Sequence, residues 1–306
     1  MLRTLSVFFV SMTFAVPLVV AADGQPPKAQ LTAAQIVDKY VAATGGLRAW
    51  RAVQTLSLAG KLGVGGNQRA SLNVPSANPV PTGASPIISH RRVDEVQVPF
   101  LMELKRPRKL RFELQFNGQA AVQVYDGVNG WKLRPFLNRS EVEPYSAEEM
   151  KIASMQSDLD GPLVDYAAKG NRVELDGAEK VEGRDTYKLK LTMKNGKVVH
   201  VWIDAQSFLE TKIEGAPRRL DGVDHPVEIY FREYRAVDGL QMPFVLETKV
   251  LPVGKNALGV RDTPVPVEKI TVEKISVNPK LEESQFSKPV AGPATGAKAK
   301  ATASQS

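Results

Sequence analysis

From Val96 to Val124 a hydrophobic or small side chain stands at almost every second position: Val96, Val98, Phe100, Met102 and Leu104, then Leu110, Phe112, Leu114 and Phe116, then Ala120, Val122 and Val124. A period of two is that of a strand with one covered face, and no helix could place these residues on one side. Asn117-Gly118 separates the second and third runs. Both residues tolerate positive φ, as a tight hairpin turn requires. The segment therefore predicts an antiparallel meander, with Phe112, Leu114 and Phe116 on one face and Arg111 and Glu113 on the other.

The same period returns in the last third, through Tyr187, Leu189, Leu191 and Met193, then Val199, Val201 and Ile203, with Asn195-Gly196 between them. Further strands are expected over 208–213, 227–234, 244–250 and 267–277. Helical patterns interrupt this twice. Thr32 with Gln35, and Ser146 with Glu149, are capping-box pairs in which each N-cap hydroxyl and N3 side chain satisfy one another's backbone amides. The first predicts a helix ending at Gly45-Gly46, followed by a short one through Leu47, Trp50 and Val53. The second predicts a helix over 146–159, ended by Gly161-Pro162, with a further turn or two through Leu163, Val164 and Ala167. Strands without βαβ alternation give a mainly β (α+β) chain: a single curved antiparallel sheet or incomplete β-barrel with helices packed in its concave side.

The ends of the chain read differently. Arg3 precedes an uncharged, largely apolar stretch that closes on Val20-Ala21-Ala22 before Asp23. This predicts a signal peptide over 1–22, cleaved after Ala22, with an uncleaved membrane anchor as the alternative. Residues 23–30 form a flexible leader, 31–288 the folded domain, and 289–306 a disordered tail too poor in apolar groups to offset its ordering entropy. A proline-rich loop spans 75–92. The chain has no cysteine, so disulfides, thiol catalysis and cysteine metal sites are excluded. Export implies a periplasmic location.

The formal net charge is +7, and Lys105, Arg106, Arg108, Lys109 and Arg111 concentrate it. Without aromatic interleaving on a known module, they read as a solvated or lipid-headgroup-facing strand edge and not as a nucleic-acid site. His90, His200 and His225 show no metal-ligand spacing, and no nucleophile elbow or phosphate loop is present. Asp158 and Asp160 belong to no recognisable acid-base scaffold. The composition points away from an enzyme, a cofactor and a metal.

A curved sheet with an apolar interior can shield acyl chains from water. The candidates to line such a cavity are Phe100, Met102, Phe112, Leu114, Phe116 and Trp131, with Met150, Met155 and Leu159 on the helix as its lid, because methionine repacks readily around a guest. The same residues could equally make a filled core, and alternation by itself does not separate the two.

Lys105-Arg106-Pro107, Arg111-Phe112, Tyr125-Asp126-Gly127, Trp131 and Pro135-Phe136 stand in an order that resembles the periplasmic carrier of outer-membrane lipoproteins. Tyr40, Thr44-Gly45-Gly46 and Trp50, and the run Asp160-Gly161-Pro162-Leu163-Val164-Asp165-Tyr166, resemble the broader lipoprotein-sorting family. The resemblance spans about 31–288. It implies an incomplete barrel closed by helices over a hydrophobic cavity, an acylated lipoprotein or lipid as ligand, an inner-membrane transporter as partner, and membrane contact that is transient at most. It also assigns a functional arginine to the segment 106–111, with Arg111 the closest match. This chain is longer than the carrier and lacks the cysteine that lipidates the receptor. A cell-envelope sensor or protein-interaction module using the same sheet is the alternative function.

Overall fold

The structure, a computed structural model, describes residues 31–64, 96–135, 139–220, 222–254 and 265–290. The expected signal peptide, the leader, the proline-rich loop with His90, Phe136 and the tail from 291 onward lie outside the described residues.

Among the described residues three α-helices, α1 (Ala33–Ala43), α2 (Leu47–Ala52) and α3 (Ala147–Gln156), accompany fifteen strands. The first six are β1 (Thr55–Val64), β2 (Val96–Lys105), β3 (Lys109–Phe116), β4 (Gln119–Tyr125), β5 (Gly130–Arg134) and β6 (Arg139–Pro144). After α3 come β7 (Arg172–Val181), β8 (Arg184–Thr192), β9 (Val198–Asp204), β10 (Glu210–Glu214), β11 (Arg218–Leu220) and β12 (Val223–His225). The last are β13 (Val227–Val237), β14 (Leu240–Val250) and β15 (Glu268–Val277). Thirteen of them form one antiparallel sheet in the order β6-β5-β4-β3-β2-β1-β15-β14-β13-β10-β9-β8-β7, and β11 with β12 makes a separate hairpin. The sheet is two meanders joined where β1 pairs with β15. It is not closed into a barrel, and α3 with the turns after it carries the chain from the β6 edge to the β7 edge.

Local chemistry sets these elements. Both capping boxes form: Thr32 and Ser146 each accept from the N3 amide, and Gln35 and Glu149 return the bond. Gly45 and Gly46 take positive φ and end α1. A side chain at Gly45 would also stand 2.6 Å from the Gly239 carbonyl, so a glycine there lets α1 reach the β13–β14 turn. Asn117-Gly118 and Asp238-Gly239 turn with positive φ at both residues, as does Glu182-Gly183, which the sequence did not flag as a turn. Residues 159–170 form successive turns instead of the expected further helix. Gly161 and Asp165, at φ 70° and 53°, lie in the left-handed region and break the helical path. Likewise Phe208 has φ 56° and β10 begins at Glu210, not at 208.

Cross-strand partners share a face, so the registers trace one face through the sheet. Phe100 opposes Leu114 and Met102 opposes Phe112. Leu62 opposes Val98 on one side and Ile270 on the other. Ile270 opposes Leu246, which opposes Phe231; Ile229 opposes Ile213, and Ile213 opposes Val201. The helices cover this concave face. Lys132, which opposes Gln123 and so shares the face of Phe112, reaches Glu149 of α3. Bulges at Gly60, near Gly177 and between Glu210 and Lys212 break the register, and such irregularities bend a sheet.

Candidate functional site

The inner face is filled at one end and open in packing at the other. Ile36, Val37 and Tyr40 of α1, with Trp50, Leu56, Leu163, Val164, Leu189, Leu191, Val201, Ile203 and Leu240, are buried and form the closed end. Toward the other end Met102, Phe112, Leu114, Phe116, Ile213, Ile229, Phe231, Leu246 and Ile270 are only half-buried, although their register puts them on the same inner face. Phe100 stacks on Phe112 with centroids 5.9 Å apart. It lies over Gly60, where a Cβ would meet the Phe100 ring at 3.0 Å and the Thr271 carbonyl at 2.1 Å. Five of the sequence-selected residues, Phe100, Met102, Phe112, Leu114 and Phe116, therefore come together on the inner face.

Helix α3 lies across this face on few buried contacts. Ala153 is its one buried residue, while Met150, Ile152 and Met155 are half-buried. Lys132 Nζ holds its first turn through Glu149 at 2.5 and 2.7 Å. Tyr145, just before the cap, packs on Gly130, where no side chain would fit. At its other end Lys197 Nζ lies 3.6 Å from Met155 Sδ. Leu159 is buried and belongs to the core beyond the helix.

The turns after α3 are clasped by charge. Lys169 Nζ donates to Asp158 at 2.9 Å and to Asp160 at 2.6 Å, and Arg106 donates to the other Asp160 oxygen at 2.6 Å. Burial pushes Asp160 up, but hydrogen bonds from Arg106 and Lys169 outweigh it and hold the carboxyl below its usual range. For Asp158 burial wins and its pKa is raised. Arg51 of α2 grips Asp165 with two bonds of 2.7 and 2.8 Å. These carboxylates tie loop to helix and sheet, which explains the acidic positions of the 160–166 motif structurally.

Arg111 and Trp131 lie on the opposite, outer face. Arg111 opposes Glu103 and Val124, and Trp131 also opposes Val124. Trp131 packs with Val122, Val124, Leu133 and Phe286, the last from a 3-10 turn over Glu283–Phe286. Arg111 pairs with Glu113 and donates to the Gln285 carbonyl at 3.1 Å. The whole basic cluster is engaged in the same way, and this corrects its reading as a solvated or headgroup-facing edge. Lys105 and Lys109 pair with Glu283, Arg106 with Asp160, and Arg108 donates to the Ser154 carbonyl at 2.9 Å. The cations bind the C-terminal segment and the α3 region to the β2–β3 hairpin.

The outer face of the other meander is charged and aromatic. Lys212 Nζ sits 3.9 Å over the Trp202 ring and pairs with Glu228 at 2.8 Å; Lys249 Nζ sits 3.8 Å over Tyr230. His200 faces Glu214 at 2.9 Å there, and His225 is buried with its Nδ1 3.0 Å from the Leu251 carbonyl. Among the described residues no group of three or more His, Asp or Glu side chains could hold a metal, and no helix is long and apolar enough to cross a membrane. A half-open groove of about 340 Å³, lined by Val37, Val41, Leu47, Leu163 and Tyr166 among others, separates α1 from the turns after α3.

One inner-face group escaped the sequence reading. Glu210, at the start of β10, opposes Ile203 and therefore points inward. Burial pushes its carboxyl up to about 8. Tyr234 donates to its backbone carbonyl at 2.9 Å, and the pKa values of both Tyr40 and Tyr234 are raised, first by burial and then by the Glu210 charge. Nothing in the run Leu209-Glu210-Thr211 marks this residue as interior, because the bulge after it sets its face.

No family model matches the chain, and no curated protein matches it. Among solved structures, a LolA superfamily protein from Nitrosomonas europaea is 13% identical, covering 85% of this chain and 99% of its own, with a TM-score of 0.49. An outer membrane lipoprotein-sorting protein domain, as it is described, from Vibrio parahaemolyticus is 14% identical over 82% and 94% of the two chains, with a TM-score of 0.47. The lipoprotein LppX of Mycobacterium tuberculosis is 10% identical over 80% and 97%, with a TM-score of 0.28.

Proposed function

We propose that this protein is a periplasmic carrier or binder of lipid or lipidated protein, which shields acyl chains on the inner face of its sheet. The observation that supports the reading is the strip of half-buried aliphatic and aromatic side chains from Phe116 to Ile213, crossed by a helix with one buried residue. Such a strip gains from a guest that brings methylenes against it, about 0.8 kcal/mol for each one buried. Ten methylenes would supply about 8 kcal/mol, which corresponds to about micromolar affinity. Helix α3 is the lid: one buried residue and polar ties from Lys132, Arg108 and Lys197 hold it, so it can leave its seat while the sheet stays folded. The function needs neither catalysis nor a cofactor. An inner-membrane transporter is the partner that would load such a carrier.

Titration with a fluorescent fatty acyl probe tests this, with circular dichroism on the same samples. Wild-type protein binds the probe. Leu114→Asp places a carboxylate on the strip and abolishes binding with the sheet retained. Met155→Asp stands beside Lys197, which pairs with it, so the variant folds while the hydrated ion pair that replaces an apolar side chain on the lid weakens binding at least tenfold. A wild type that never binds the probe, or a Leu114→Asp protein that binds it fully, refutes the reading.

A further inference from the structure

We propose that Lys132 and Arg134, on the inner face beside the apolar strip, bind the oxyanion of an acidic lipid, a carboxylate or a phosphate, which takes the place that the Glu149 carboxylate of α3 holds when the helix is seated. The proposal rests on the acyl-binding reading and adds to it the class of headgroup that the protein selects.

Register brings the site together. Phe112 opposes Gln123, Gln123 opposes Lys132 and Lys132 opposes Glu143, so a polar row continues the apolar Met102–Phe112 row toward the β6 edge. Arg134, two residues further along β5, falls on the same face, while Leu133 between them packs outward with Val122 and Val124. The two cations meet at one oxygen: Glu143 Oε2 lies 2.8 Å from Arg134 Nη2 and 4.0 Å from Lys132 Nζ. Lys132, whose side chain is 13% exposed, holds both Glu149 oxygens at 2.5 and 2.7 Å. Arg134 uses only half of its fork. Its Nη2 donates to Glu143, whereas the neighbouring Nε is buried and has no hydrogen-bond partner among the described residues. Buried polar side chains are nearly always paired.

The chemistry of the ligand follows from the balance of charge. With α3 seated, Lys132 and Arg134 face Glu143 and Glu149, and the corner is neutral. Glu149 belongs to the lid, so its departure leaves two cations against one carboxylate at the end of an apolar strip, where an uncompensated charge is costly. One oxyanion restores the balance. It also supplies an acceptor for the Arg134 Nε–H, since the Nε and Nη2 edge of a guanidinium is shaped for carboxylate and phosphate oxygens. A neutral ester head restores no charge, and a cationic head adds to the excess. Fatty acids and phospholipids both carry such an oxyanion at the end of their acyl chains, and the strip through Phe112 and Leu114 is next to the site to receive the tail.

The test uses three fluorescent probes with identical alkyl tails and a carboxylate, a phosphate monoester or a methyl ester as head. Wild type binds at least one anionic probe about tenfold more tightly than the methyl ester, the scale of one hydrogen bond to a charged group. A preference for the carboxylate points to a fatty acid and one for the phosphate to a phospholipid, and either supports the site. Lys132→Met and Arg134→Leu each reduce the preference to about twofold or less, with affinity for the methyl ester kept. Glu149→Gln retains the capping oxygen of α3 but no longer competes as an anion for Lys132, so it tightens the anionic probes by about threefold or more and leaves the ester unchanged. Melting curves establish that each variant is folded, and wild type with Glu149→Gln decides the matter if a cation variant is not. Equal affinity of wild type for all three probes, a preference that survives both cation substitutions, or no gain in Glu149→Gln overturns the oxyanion site and leaves the carrier reading standing. Failure of wild type to bind any of the three overturns both.

Discussion

Replacing Glu210 by Gln removes a titration that the folded protein must otherwise carry out in its interior. In the unfolded chain this carboxyl ionises near pH 4.3, whereas in the folded protein its pKa is raised to about 8. Its contribution to stability is therefore complete below the unfolded value and is lost as pH rises through the folded one. Between about pH 6 and about pH 9 the folded state holds a proton over roughly two pH units that the unfolded state has already released, at about 1.4 kcal/mol per unit. That sums to about 3 kcal/mol, and the accessible surface that Glu210 retains reduces it to between about 1 and 3 kcal/mol. For a chain of this size each kcal/mol moves the melting temperature by about 2–4 °C, so wild type should melt about 3–10 °C lower at pH 9 than at pH 6 on this account. Tyr40, Tyr234 and Asp160 are the titratable groups that share the field of this carboxyl and phenol cluster. The phenols are raised above their usual range and Asp160 is lowered, so none of them titrates in this interval. The assay is differential scanning fluorimetry across the interval on wild type and Glu210→Gln. The difference between their two curves isolates the group. A difference that stays flat from pH 6 to pH 9 refutes an interior, raised carboxyl at this position.

Asp160→Asn strips the carboxylate that Arg106 and Lys169 share, and urea denaturation at neutral pH should show a loss of about 3 kcal/mol. Because the Asp160 pKa is depressed in the folded protein, this contribution is present above the ordinary carboxylate range and is lost as pH falls through the folded value, so the gap between variant and wild type should narrow progressively as the solution is made more acidic. Phe286→Ala empties the outer cluster over Val122 and Val124 and should cost about 3–4 kcal/mol in the same experiment; acyl-probe affinity should stay within about twofold, since that cluster lies across the sheet from the strip. Gly60→Val drives a side chain against the Thr271 carbonyl at 2.1 Å, and the melting curve should report a loss of more than about 3 kcal/mol or no cooperative transition.

Local rules carried the chain a long way. Capping boxes at Thr32 and Ser146, the Asn117-Gly118 and Asp238-Gly239 turns and the alternation through Leu110–Phe116 each depend on residues within a few positions of one another. The meander with helical interruptions, and the shared face of Phe100, Met102, Phe112 and Leu114, were legible for that reason. The glycine-rich end of α1 was legible too, because a positive φ leaves a mark in composition.

Which side of the sheet an apolar row occupies was not legible. On β3 the apolar residues are even-numbered and face inward, and on β4 Val122 and Val124 are even-numbered as well, yet they face outward. The hairpin register sets Phe112 against Gln123 and Arg111 against Val124, so the apolar row changes sides between neighbouring strands. It can do so because Leu281 and Phe286, far away in the chain, cover the outer face at that point. Trp131 and Arg111 follow Val124 outward. The five cations of 105–111 depend on the same distant chemistry, since Glu283, Asp160 and two backbone carbonyls meet them only after the chain has folded.

Sequence by itself determined the strands, the turns, the caps and the mainly antiparallel architecture, because nearest-neighbour backbone chemistry and a two-residue period are sufficient for those. Tertiary structure decided which face each row presents, which charges are spent on internal ties, and that Glu210 looks into the interior. Those properties depend on register, on one bulge and on what packs opposite, and each of these is fixed by residues too far apart in the chain to leave a periodic signal.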